Sequence, residues 1–196
     1  MPEDAGIATD QELPSLPRWA VIAYAARGVR RALPAFAARW PDAGAERVQV
    51  LTDAIELIER ACAAPGAVTF EQLHAAGNAV MDVSMAAAAA AHAGAEDQPD
   101  ERIFAAAQLA RAVSSAASGA KSATAGDDRF AAGLAADAVG FADLALQSPA
   151  FAAVARRDFE ALQAKSRSDN WDAESAVDVA ALGAEWPDGA PDGWPG

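Results

Sequence analysis

Metal or acid–base chemistry in this chain would have to begin with its two histidines, His74 and His92. Both fall in one stretch that reads as a helix. Their separation of 18 residues is five whole turns, which puts them on one face but ~27 Å apart at 1.5 Å per residue. They cannot share an ion. Glu71 and His74 form the Glu-x-x-His pair used by di-iron helical bundles, which also need a second such pair and further glutamates on facing helices. Three positions before His92 stands Ala89, so the second pair is missing.

The other reactive side chains are no better placed. Ser118-Gly-Ala-Lys121 matches the Ser-x-x-Lys of serine β-lactamase-like enzymes, but their Ser-Asp-Asn and Lys-Thr-Gly elements and their sheet are absent. Gly119 to Ser122 lacks the Gly-Lys pair and preceding strand of a phosphate loop. Cys62 falls on the inward side of a predicted helix, where a lone thiol is a small hydrophobe. Glu56 and Glu59 are spaced i, i+3 on that helix, as a solvated face would have them. No catalytic, cofactor-binding or metal residue is assigned, and no cofactor is implied.

The elements that would carry any site are helices. The founding stretch runs from Leu13 to Trp40 and holds two of the five tryptophans, the only tyrosine, five arginines and no acid. Trp19, Ile22, Ala23, Ala26, Val29 and Leu33 recur at helical steps. Ser15 is read as its cap with Pro17 in the first turn, Pro34 as a kink or break, and Pro41 as the stop. A second helix is expected over 45–63, ended by Pro65-Gly66. A third runs from the Thr69/Gln72 capping box to about Ala93, with Gly77 inside it where another backbone comes close. A loop over 94–101 leads to a fourth helix, opened by Pro99 and running through Ser122. Asp127 caps a fifth, to about Gln147, and Ser148-Pro149 starts a sixth, ending near Ser168. The segment 104–113 matches 130–139 at six of ten positions, as a duplicated helix would. Residues 172–182 could add a short seventh helix.

The fold expected is therefore all-α, a single domain of six or seven antiparallel helices over residues 15–182. Residues 1–14, acidic and poor in apolar side chains, read as a disordered N-terminal tail. Residues 183–196, with three prolines, four glycines, Trp186 and Trp194, read as an extended tail docked on the body. Aromatics are only 7% of a chain that is 53% apolar, and alanine fills the difference. Such a core must bring helices close together.

Charge narrows the partners. A net charge of −13 repels nucleic acid, which is bound through clustered Lys and Arg. Arg18, Arg27, Arg30, Arg31 and Arg39 form a local basic stretch, read as a solvated helix face paired with acids elsewhere. No apolar run reaches the ~18–20 residues of a membrane span, and the acidic N-terminus is no signal peptide. One cysteine excludes an internal disulfide and fits the cytoplasm.

LPRWAVIAYAARGVRRALPAF (16–36) resembles the opening of small Ala- and Arg-rich helical proteins of bacteria, commonly left as hypothetical or labelled immunity proteins of the polymorphic-toxin type. The matching positions are Leu16 to Ala20, Tyr24 and Ala25-Ala26-Arg27; Gly28 stands where relatives often carry cysteine. EWPDGAPDGWP (185–195) is similar to the Trp-Pro and Gly-Trp-Pro tails of such proteins. The resemblance implies a non-enzymatic protein that binds and neutralises a toxin. An acidic surface suits a basic toxin such as a nuclease, through fast and selective association. A helical adaptor that inhibits nothing is the alternative, and an enzyme with a site assembled across helices is the third.

Overall fold

Helix α1, Arg18–Arg39, is buried on nearly every side from Trp19 to Val29, and the other elements are arranged around it. The structure is a computed structural model describing residues 6–93, 98–191 and 194. Five more helices follow: α2 (Ala45–Ala63), α3 (Phe70–Ala93), α4 (Glu101–Thr124), α5 (Asp128–Leu146) and α6 (Pro149–Ser168). No strand occurs among the described residues. α4 lies between α3 and α5, with α1 packed across α4 and α5, α2 against α1, α3 and α4, and α6 beside α1. No helix among the described residues is long and apolar enough to cross a membrane.

Helix boundaries follow local chemistry. Thr69 and Gln72 exchange the two bonds of a capping box, at 2.9 and 3.3 Å, ahead of α3. The side chains of Asp100, Asp127 and Ser148 accept from backbone N–H groups in the first turns of α4, α5 and α6. Pro99 thus precedes the cap of α4 instead of opening the helix, and residues 94–97 of the expected 94–101 loop lie outside the described residues.

The start of α1 differs from expectation. Leu13–Ser15 form a 3-10 turn, Leu16 is extended, and the helix opens at Arg18 without a side-chain cap. Pro17 explains this, because its ring pushes the preceding residue out of helical space. Ser15 instead accepts a hydrogen bond from Gln163 on α6 at 3.2 Å. Nor does Pro34 break the helix. Ala35 and Phe36 beyond it are buried, and Phe36 meets Trp40 edge-to-face at 6.0 Å. Burying one large side chain returns ~1.5–3 kcal/mol, enough to offset much of the ~3 kcal/mol a mid-helix proline costs.

Small residues let the layers approach. Ser114 on α4 donates to the carbonyl of Gly77 at 3.1 Å, and Ser84 on α3 donates to that of Ala107 at 3.0 Å. A Cβ on Gly77 would lie 3.6 Å from that of Ala117, so the expected close approach is with α4. The repeated ten-residue segments occupy equivalent places on the adjacent helices α4 and α5. Phe104 and Phe130 are both exposed, and Val113 and Val139 both buried.

The two ends of the chain also pack. Residues 6–14, expected to be disordered, run along the body: Ala8 and Leu13 are buried, and the Ala8 N–H donates to the Tyr24 hydroxyl at 3.1 Å. Composition missed this because two apolar side chains and a tyrosine partner suffice to hold so short a segment. Residues 1–5 of that tail lie outside the described residues. After α6 no seventh α-helix forms. Val177 and Val179 point inward with Asp178 outward, and the Val177 N–H donates to the Cys62 carbonyl of α2 at 2.8 Å. Only Ala180–Leu182 forms a 3-10 turn. The segment continues over α1, where Trp186 packs partly buried against the core.

Candidate functional site

The residues singled out for chemistry are not brought together. His74 is exposed on α3, stacked at 6.3 Å on Phe70 and 3.3 Å from the side-chain nitrogen of Asn78. His92 is exposed at the far end of the same helix. The backbone carbonyl of Ser118 accepts from the Ser122 hydroxyl, while the Lys121 ammonium sits over the Phe70 ring at 5.4 Å. Cys62 is fully buried and desolvation pushes its thiol up, so it stays protonated and unreactive. Glu59 accepts two hydrogen bonds from Arg30, at 3.0 and 2.6 Å. Among the described residues no three His, Cys, Asp or Glu side chains are grouped closely enough to hold a metal ion.

The basic stretch of α1 corrects the solvated-face reading. Arg18 pairs with Asp128 and Glu174, and Arg30 with Glu59, as a paired helix face would. Arg27 and Arg31, one turn apart, are instead 3% and 0% exposed. Arg31 donates to Asp158 on α6 at 2.8 Å, and Arg27 Nε lies 3.1 Å from the same oxygen without the alignment of a hydrogen bond. Two guanidiniums thus face one carboxylate, and backbone oxygens supply the remaining acceptors. Arg27 donates to the carbonyls of Val179, Gly183 and Ala184, and Arg31 to that of Glu185. Desolvation pulls the Arg31 guanidinium below its usual pKa, and Asp158 opposes that shift. The cluster is closed over by the chain itself and fastens the C-terminal segment to α1. It is a structural clamp. An i, i+4 arginine pair was visible in the sequence; its buried partner 127 residues away was not.

An exposed, largely apolar stripe runs along α5. Phe130, Leu134, Asp137, Phe141 and Leu144 recur at helical spacing, and Phe130 and Leu144 are 60% and 59% exposed. With the segment Ile7–Asp10 they border an open groove of about 610 Å³. Single exposed apolar residues are ordinary; here four apolar side chains share one helix face, with Asp137 among them. The periodicity was legible in the sequence, but nothing there distinguished this face from the buried one. Phe70, Met81 and Met85 are also exposed, on α3. Compared with known proteins, the chain matches no family model, no curated protein and no solved structure.

Proposed function

We propose that the chain is a non-enzymatic protein-binding module of the immunity type, which neutralises a basic partner toxin by occluding it. The observation that carries the reading is where the charge sits. Among the described residues seven of the 15 bases sit in ion pairs: Arg18, Arg30, Arg156, Arg157 and Lys165 at or near the surface, Arg27 and Arg31 in the buried cluster. Together these pairs set seven bases against seven acids, so the net charge of −13 remains with the other side chains, in which acids outnumber bases. Such an excess steers a positively charged partner and rejects nucleic acid. The likeness of residues 16–36 and 185–195 to immunity-labelled proteins supports the same reading. The test is co-expression with the product of the adjoining gene. Growth arrest by that product alone, relieved when this protein is present, is the expected result; arrest that persists despite a stable, folded protein overturns it.

A second reading, a helical adaptor, draws on the exposed Phe70, Met81 and Met85 of α3, which lies across α4 from the α5 stripe. Two separated apolar faces would let one chain hold two proteins. Co-purification of a ternary complex with no growth phenotype would favour it.

A further inference from the structure

We infer that the groove along α5 is where a partner's basic amphipathic helix docks; this rests on the protein-binding reading and locates it. The groove is an open trough, not an enclosed cavity, and its length fits a helix. Phe130, Asp137 and Leu144 lie seven residues apart, so the stripe spans about four turns, ~21 Å. Its other wall is the segment from Ile7 to Asp10, held in place by the Ala8 bond to Tyr24 and by Arg156, which donates to the Gly6 carbonyl and to Glu12. A helix laid in such a groove inserts apolar side chains at i, i+3, i+4 and i+7.

The occupant's chemistry follows from the lining. Phe130, Phe141, Leu144 and Ile7 supply apolar surface, and among the described residues Asp10 and Asp137 are the charged side chains of the lining. Both are acids. Arg111 on α4 stacks on Phe141 at 4.6 Å but does not line the groove. Phe130 and Leu144 at the two ends and Asp137 at the centre match a helix with apolar anchors flanking a Lys or Arg. A second copy of this chain is the wrong occupant, because each copy carries −13 and two acids would face the same charge.

The test uses the full-length protein and a synthetic leucine/lysine amphipathic helix of about five turns, with binding followed by fluorescence anisotropy at physiological salt. Saturable one-to-one binding is expected. Asp137→Lys and Leu144→Asp should each weaken it at least tenfold. Asp53→Lys on α2 makes the same charge change away from the groove and should weaken it less than threefold. Circular dichroism melts confirm that each variant is folded. Equal weakening by Asp137→Lys and Asp53→Lys would mean diffuse charge attraction and overturn the assignment. So would insensitivity to Leu144→Asp, or a concentration-dependent dimer abolished by it. Loss of this site alone would leave the growth-rescue test of the protein-binding reading untouched.

Discussion

Arg31 and Asp158 form an ion pair 2.8 Å long between α1 and α6, with the Arg31 side chain 0% and the Asp158 side chain 8% exposed. Charges withdrawn from water so completely are held by their mutual attraction and by every hydrogen bond they keep. Arg31 is closed from above by the Glu185 carbonyl at 2.6 Å and by the Trp186 ring at 5.3 Å. One interaction set therefore ties together the central helix, the last helix and the C-terminal segment.

Removing the carboxylate should be severe. Asp158→Asn leaves Arg27 and Arg31 facing each other without a countercharge, and breaking a buried pair in this way costs about 3–5 kcal/mol. Asp188→Asn removes the counterpart of Arg157 in a pair whose side chains are 55% and 72% exposed, and should cost under about 1 kcal/mol. Urea unfolding of both variants measures the contrast. Equal and small losses would show that water reaches the Asp158 cluster.

The C-terminal segment should contribute measurably to stability. Deleting residues 184–196 removes the Ala184 and Glu185 carbonyls that accept from Arg27 and Arg31, and the Trp186 ring above Arg31. Bonds to charged groups are worth ~1.5–3 kcal/mol each, and water admitted to the exposed guanidiniums returns part of that. At about 2–4 °C per kcal/mol for a chain of this size, Tm should fall by about 5–10 °C. An unchanged Tm would mean the segment is held without net gain and is free to be displaced by a partner.

Acid should loosen the N-terminal segment first. The Arg156 hydrogen bonds, and then the Thr9 backbone N–H, hold the Glu12 carboxyl down at about 2 against an ordinary value of 4.5. A depressed carboxylate stabilises the fold fully above its unfolded pKa and loses that contribution as pH falls through the folded one. The window is therefore from about pH 5 down to about pH 2. Glu12 is partly exposed, so solvent screening keeps the contribution under about 1 kcal/mol. The stability gap between the wild type and Glu12→Gln should be constant at neutral pH and close across that window. A gap independent of pH would remove the ion pair as its cause.

What could be read from the sequence was what depends on neighbours in the chain. The capping box at Thr69 and Gln72, the Asp127 and Ser148 caps and the six helices they delimit are set within a few residues, so propensity and spacing reveal them. Arg27 and Asp158 are different: on a helical wheel Arg27 resembles Arg30, and only the fold decides which of them is buried. The α5 stripe was hidden for the same reason. In an alanine-rich helix both faces look apolar, and the Ile7–Asp10 wall is brought to it by tertiary packing alone. Residues 6–14 were misjudged because low apolar content predicts disorder only when no partner waits for the few apolar side chains present.

The contact between Gly28 of α1 and Val139 of α5 offers a direct test of how tightly this alanine-rich core is fitted. A Cβ at position 28 would lie 3.0 Å from a Val139 methyl, closer than side chains normally approach. Alanine there gains about 1 kcal/mol of helix propensity but must displace a buried, β-branched neighbour with little rotamer freedom. Overpacking of this kind costs about 1–3 kcal/mol. Val139→Ala removes the obstructing methyl and leaves a small void. Gly28→Ala should therefore be at least about 1 kcal/mol more favourable in the Val139→Ala background than in the wild type, as a coupling energy between residues in contact. Additive effects of the two substitutions in a denaturation cycle would show that the α1–α5 interface relaxes without cost and is looser than the 3.0 Å approach implies.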